Sequence, residues 1–254
     1  MTASVFDSPM FTKLYPVGEA GRLFTHSAEV RAVLLVLGTL AEAQGARGDI
    51  PQDSAYFIHR SAMEVQIDPA GLANNLAQDG TYIPGLVAAF EKAMEAPPHS
   101  QHLMHNTDPQ DVADTALMLR LRQLLVQAEA LLKSLPETTD TKTLLTDLPM
   151  IKKSCLHVAF VDVPEIGAEL AEALKLGTPQ DPRAPIRTIA NWLTLAGDTA
   201  TKTVNASQAN SALSAQLLGL NTLFQETTDS ASEPLYLPQI ALSSLSLLLT
   251  ASAT

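Results

Sequence analysis

The feature that most constrains this fold is a long apolar stripe between Asp108 and Pro136. Val112, Ala116, Leu119, Leu121, Leu124, Leu125, Ala128, Leu131, Leu132 and Leu135 recur mostly at three- and four-residue steps. That spacing matches the 3.6-residue period of an α-helix. The start is marked as well. Asp108 suits the N-cap, Pro109 the first helical position, and Asp111 the first turn, where a negative charge meets the positive end of the helix dipole. A helix of this length with one continuous apolar seam needs other helices to cover it.

The rest of the chain supplies them. Val30, Val33, Leu34, Leu37, Leu40 and Ala41 form a second stripe between Thr25 and Gly45, with Gly45 and Gly48 as terminators. Prolines mark off shorter helices over Gln52–Met63, Pro69–Ala77, Pro84–Glu95 and Pro164–Leu176. Few breakers interrupt Ile186 to Phe224, which reads as one long helix, and a last helix begins at Pro238. No strand-like alternation persists, and the apolar content is mainly Leu, Ala and Val with only 5% aromatic residues. Leu and Ala lose little entropy in a helix, so the expected fold class is all-α. The short, proline-delimited helices end near Ser100–Thr107. This divides the chain into a smaller N-terminal helical region, 1–107, and a bundle of longer helices, 108–254.

The formal net charge of −11 leaves no basic face to displace the counterions of a nucleic acid or to meet an anionic membrane. The markedly apolar runs Ala32–Ala41 and Ile240–Ala253 fall short of the ~20 residues that span a bilayer. No basic segment leads into an apolar one at the N-terminus, so the expected compartment is the cytoplasm. The single cysteine, Cys155, excludes an intrachain disulfide.

Few residues carry obvious chemistry. His99, His102 and His105 recur every three residues, but the first and third would point to different sides of a helix, and the segment reads as a loop after Pro97-Pro98. No metal site is expected from them. Cys155 and His157 stand two apart with nothing nearby to form an oxyanion hole; a buried structural cysteine is the expectation. No glycine-rich phosphate loop or dinucleotide fingerprint is present, so no cofactor is expected.

The segment from His105 to Ala116, His-Asn-Thr-Asp-Pro-Gln-Asp-Val-Ala-Asp-Thr-Ala, is similar to the stretch His-x-Gly-x-Thr-Ser-Gln-Asp-x-x-Asp-Thr of the fumarase/aspartase superfamily, which also runs into a leucine-rich helix. Further echoes keep the right order. Ser8-Pro9-Met10-Phe11 resembles the opening of the 3-carboxy-cis,cis-muconate cycloisomerase branch, and Asp79-Gly80 followed by Ile83-Pro84-Gly85-Leu86-Val87 resembles its segment before the histidine motif. Ser154-Cys155-Leu156-His157-Val158-Ala159 is similar to its Gly-Arg-Thr-His-Leu-Gln-His-Ala segment, and Asn191-Trp192, Gln225-Glu226 and Leu237-Pro238-Gln239 match later landmarks.

The resemblance implies a truncated fumarase/aspartase-like helical bundle. Enzymes of this branch close a tricarboxylate muconate into a lactone during aromatic catabolism, without metal or organic cofactor, in homotetramers whose sites combine three subunits. Such a site must gather carboxylates and stabilise a carbanion-like, doubly charged carboxylate with pre-placed donors. The roles carried over are proton transfer for His157, orientation for His105, and carboxylate binding for Thr107 and Lys153, with Glu226 as a further substrate-site residue.

This sequence departs from the pattern at four points. The family's Thr-Ser pair falls on Asp108-Pro109, replacing hydroxyl donors by a fixed negative charge and a residue with no N–H. The later histidine falls on Val158, one residue from His157, and the Arg-Thr-His before it becomes Lys153-Ser154-Cys155. The loop Gly-Ser-Ser-x-Met-Pro-x-Lys-x-Asn-Pro is absent. The helix after Val158 is shorter than the family's. Three readings of function follow: a catalytically impaired scaffold that assembles with itself or with a full-length relative, an active minimal cycloisomerase, and a binding module for small carboxylic acids.

Overall fold

The computed structural model describes residues 6, 9–13, 15–206 and 233–253. It is all-helical, as expected; among the described residues the one β feature is an isolated parallel bridge between His157 and Gly177. The chain forms two compact units that interleave in sequence. One comprises Thr25–Leu121 and Leu156–Pro182; the other comprises Met1–Phe24, Arg122–Cys155 and Arg183–Thr254. The units do not coincide with the 1–107 and 108–254 regions read from the sequence. The reason is the leucine-striped helix itself: α7, Pro109–Ser134, is continuous and contributes its first half to one unit and its second half to the other.

The first unit holds α2 (His26–Arg47), α3 (Gln52–Glu64), a 3-10 turn (Pro69–Leu72), α4 (Ala73–Asp79), α5 (Ile83–Met94), α6 (Pro97–Ser100), the start of α7, and α9 (Pro164–Leu174). Thr25 caps α2, its hydroxyl accepting from the Ala28 backbone N–H. The helix ends at Gly48, whose φ of 81° is the left-handed conformation that favours glycine. Gly45 is not a terminator; it lies inside α2, where a Cβ would stand 2.3 Å from that of Ala55 on α3. Its missing side chain lets the two helices approach closely. The core joins Leu34, Leu37, Ile58, Leu86 and Phe90 to Val112 and Ala116 of α7, Phe160 and Leu170. The stripes of α2 and α7 thus become buried seams, which is the hydrophobic term that holds the unit together.

The second unit holds α1 (Ala20–Leu23), the rest of α7, α8 (Thr139–Cys155), α10 (Arg183–Ala206) and α11 (Glu233–Ser252). Two helices run through internal prolines. α8 continues through Pro149 and α11 through Pro238, so α11 begins five residues before the expected start. Each proline removes one backbone donor, but Leu144, Leu148, Ile151 and Cys155 of α8 and Leu237, Ala241, Leu245 and Leu248 of α11 are buried and offset that loss. Trp192 of α10 donates its indole N–H to the Leu144 carbonyl at 3.3 Å, fixing α10 on α8. Residues 207–224 of the expected long helix lie outside the described residues.

Candidate functional site

The histidine motif leads into α7 inside the first unit. Asp108 takes the N-cap position, and its Oδ1 accepts a 2.7 Å hydrogen bond from the Gln110 backbone N–H. One turn on, Gln110 Nε2 donates to Asp114 Oδ1 at 3.0 Å. Asp111, in the first turn, is partly buried. Its carboxyl is pushed up to about 6, first by burial and then by the neighbouring carboxylates of Asp108, Asp162 and Asp114. Four acidic side chains therefore set the potential at this helix end.

His105 and Thr107 are held together by a residue from α2. Gln44 is buried and its Nε2 donates to the His105 carbonyl at 2.6 Å; the Thr107 hydroxyl donates to the same carbonyl at 3.0 Å. Met104 and Asn106 sit at φ 52° and 48°, and this paired left-handed backbone turns the chain sharply around His105. The Asn106 amide N–H lies 3.1 Å from His105 Nε2, so that nitrogen accepts and the ring proton belongs on Nδ1. His105 and Asn106 line a cavity of about 440 Å³ together with Gln44, Arg47, Asp162 and Glu165. Arg47 is already engaged: it contacts Glu165 at 2.7 Å, Asp49 at 3.3 Å and Glu169 at 3.6 Å.

His157 lies in the segment after α8. Its Nδ1 donates to the Thr178 carbonyl at 2.8 Å, which leaves Nε2 as a bare acceptor, buried and without a partner. Gly177 packs on the ring so closely that a Cβ there would fall 2.4 Å from Nδ1. The segment is tied to α7 by Thr115, whose buried Oγ1 accepts from the Ala159 N–H at 3.0 Å. Val158, the position that matches the family's histidine, is fully buried in the core.

The structure thus brings His105 and Thr107 to one loop, while the His157 ring is anchored separately, at Gly177 and Thr178. Lys153 is exposed in α8 and belongs to the other compact unit. Glu226 lies outside the described residues. His99 is a packing histidine: it bonds to the Ser54 hydroxyl at 3.0 Å and stacks on Phe57 with ring centroids 4.7 Å apart. Among the described residues no group of three His, Cys, Asp or Glu side chains is placed to hold a metal ion. Gln44, Arg47, Asp162 and Glu165 escape the sequence reading. Nothing local marks Gln44, because α2 also carries Glu29, Arg31, Glu42 and Arg47 among its apolar residues.

No known protein-family profile matches the chain. Over 163 residues, 63% of its length, it is 29% identical to the 3-carboxy-cis,cis-muconate cycloisomerase of Pseudomonas putida, and the matched stretch spans 37% of that protein. Its fold is similar to the β-carboxy-cis,cis-muconate cycloisomerase of Acinetobacter calcoaceticus sp. ADP1, with a TM-score of 0.81 at 17% identity, covering 96% of this chain and 76% of that one. The fumarate lyase of Mesorhizobium sp. BNC1 gives 0.77 at 16%, covering 92% and 73%. Among the described residues no helix is long and apolar enough to cross a membrane. The chain is similar in sequence to a 3-carboxy-cis,cis-muconate cycloisomerase, spans well under half the length of that relative, and shares the all-helical fold of the cycloisomerase and fumarate lyase structures.

Proposed function

We propose that this protein is a catalytically impaired homologue of 3-carboxy-cis,cis-muconate cycloisomerase that serves as a helical scaffold, in the cytoplasm, assembling with itself or with a full-length relative. The observation that carries this reading is the Asp108 carboxylate on its own helix N-terminus, 2.7 Å from the Gln110 N–H. A helix N-terminus attracts anions because its free N–H groups and dipole face them. Here a side-chain carboxylate takes that place, and with Asp162 and Asp114 it disfavours the ionised form of Asp111 in the same first turn. A tricarboxylate substrate would meet repulsion where it needs donors. Losing a single charge-stabilising donor typically costs ~10²–10³ in rate.

The proposed remnants of the family site are His105 and Thr107, which now hold the loop, with His157, Lys153 and Glu226 as the counterparts of its proton-transfer and substrate-binding groups. The His157 Nδ1 is committed to a carbonyl, and Lys153 carries a point charge in place of a forked guanidinium. The test is direct. Purified protein at high concentration is added to 3-carboxy-cis,cis-muconate and the diene absorbance is followed. No decay is expected; decay at an ordinary enzymatic rate overturns the reading. Co-purification with a full-length cycloisomerase tests the assembly role, and its absence together with a monomeric hydrodynamic radius counts against a scaffold.

A further inference from the structure

We propose that the cavity beside His105 binds a compact organic ammonium in place of a carboxylate. This rests on the reading above, that the protein no longer turns over a tricarboxylate. The wall carries one cation, Arg47, and that guanidinium already faces Asp49, Glu165 and Glu169. Asp162 adds a further carboxylate to the rim, exposed and without an ion-pair partner among the described residues. The net charge of the lining is therefore negative. A carboxylate ligand would have to displace a carboxylate from Arg47 to gain a partner. An ammonium would meet free acceptors.

Gln44 gives an independent indication. It is 1% exposed, it forms part of the cavity wall, and its Oε1 has no hydrogen-bond partner. The orientation of the amide is set, because Nε2 donates to the His105 carbonyl at 2.6 Å and a carbonyl cannot accept from Oε1. Buried acceptors without a donor are rare in folded proteins, since their desolvation is not compensated. What the Gln44 Oε1 lacks is a hydrogen-bond donor, and a protonated amine supplies up to three. At about 440 Å³ the cavity suits a ligand of a few carbons.

The full chain is titrated calorimetrically with putrescine and with succinate. These are four-carbon chains of opposite charge, and a sodium chloride control is matched in ionic strength. Putrescine is expected to bind saturably at one site, and succinate is not. Asp162→Asn should weaken putrescine binding roughly tenfold, in the manner of a lost charge-assisted contact. Gln44→Met should weaken it too, with circular dichroism confirming that the helices remain. Glu64→Gln, which removes an exposed carboxylate outside the cavity wall, should leave it unchanged. Binding of succinate without putrescine, binding of neither, or equal loss in Asp162→Asn and Glu64→Gln overturns the proposal. Muconate turnover is scored separately: turnover with intact putrescine binding overturns only the earlier reading, and inert protein without putrescine binding overturns only this one.

Discussion

The Asp108 carboxylate accepts the Gln110 backbone N–H at 2.7 Å, so α7 is capped by an acidic residue where the family pattern it resembles has a hydroxyl. The change is chemically two-sided. A serine or threonine N-cap satisfies the same donor without adding charge, whereas aspartate satisfies it and fills the anion site.

That duality separates into two substitutions. Asp108→Ala removes the cap and is expected to destabilise the protein by ~1 kcal/mol. Asp108→Ser keeps a side-chain acceptor and relieves repulsion on Asp111, so its stability should equal or exceed that of the parent. Urea unfolding of both variants checks the ordering; equal loss in the two would mean that the hydrogen bond contributes nothing.

Thr115 belongs to the same motif but acts through packing. Its Oγ1 is the acceptor for the buried Ala159 N–H at 3.0 Å. Thr115→Val preserves shape and orphans that donor, at an expected cost of ~1–3 kcal/mol. Thr115→Ser should recover most of it. Thermal or chemical unfolding of the pair decides the matter, and amide exchange at Ala159 should quicken in the valine variant alone.

Much of this architecture is legible in the sequence because periodicity is a local signal. The stripe of α7, its Asp108–Pro109 start and the Thr25 cap of α2 all depend on neighbours three or four residues away. What escapes depends on partners distant in the chain. Pro238 reads as a helix start, yet α11 begins at Glu233 and runs through it, because tertiary burial of the helix outweighs one lost backbone bond. Gly45 reads as a stop, and only Ala55, across on α3, reveals it as a contact residue. The loop around His105 was visible as a motif, but its anchor Gln44 lies sixty-one residues away and leaves no local trace.

In the second unit, Glu129 bridges Lys133 at 2.6 Å and also contacts Lys152. Its carboxyl is pulled down to about 2, chiefly by the hydrogen bonds from Lys133 and Lys152. A depressed carboxyl stabilises the fold above its unfolded value and loses that contribution as pH falls through the folded one. Glu129→Gln should therefore cost stability at pH 7, by under about 1 kcal/mol once solvent screening of these partly exposed groups is allowed for. The gap between variant and parent should close between pH 4.5 and about 2. Denaturant midpoints measured across that range test it; a gap that persists at the acid end would assign the loss to packing.

Asp111 runs the other way. Its carboxyl rises from 3.8 to about 6 on folding, because burial and the charges of Asp108, Asp162 and Asp114 disfavour its ionised form. In this window the native state holds more protons than the unfolded one, so this group's contribution makes stability fall as pH rises from about 4 to about 6. Above that range the penalty is complete. Asp111→Asn removes it and should stabilise the protein at pH 7 by ~1 kcal/mol, after allowing for solvent screening of a half-exposed group. At pH 4 most of the advantage should be gone, since the native Asp111 carboxyl is then protonated. Unfolding midpoints at pH 4, 5, 6 and 7 give the profile. A variant less stable than the parent at pH 7 would mean that the negative charge at the start of α7 favours the helix dipole more than it suffers from its acidic neighbours.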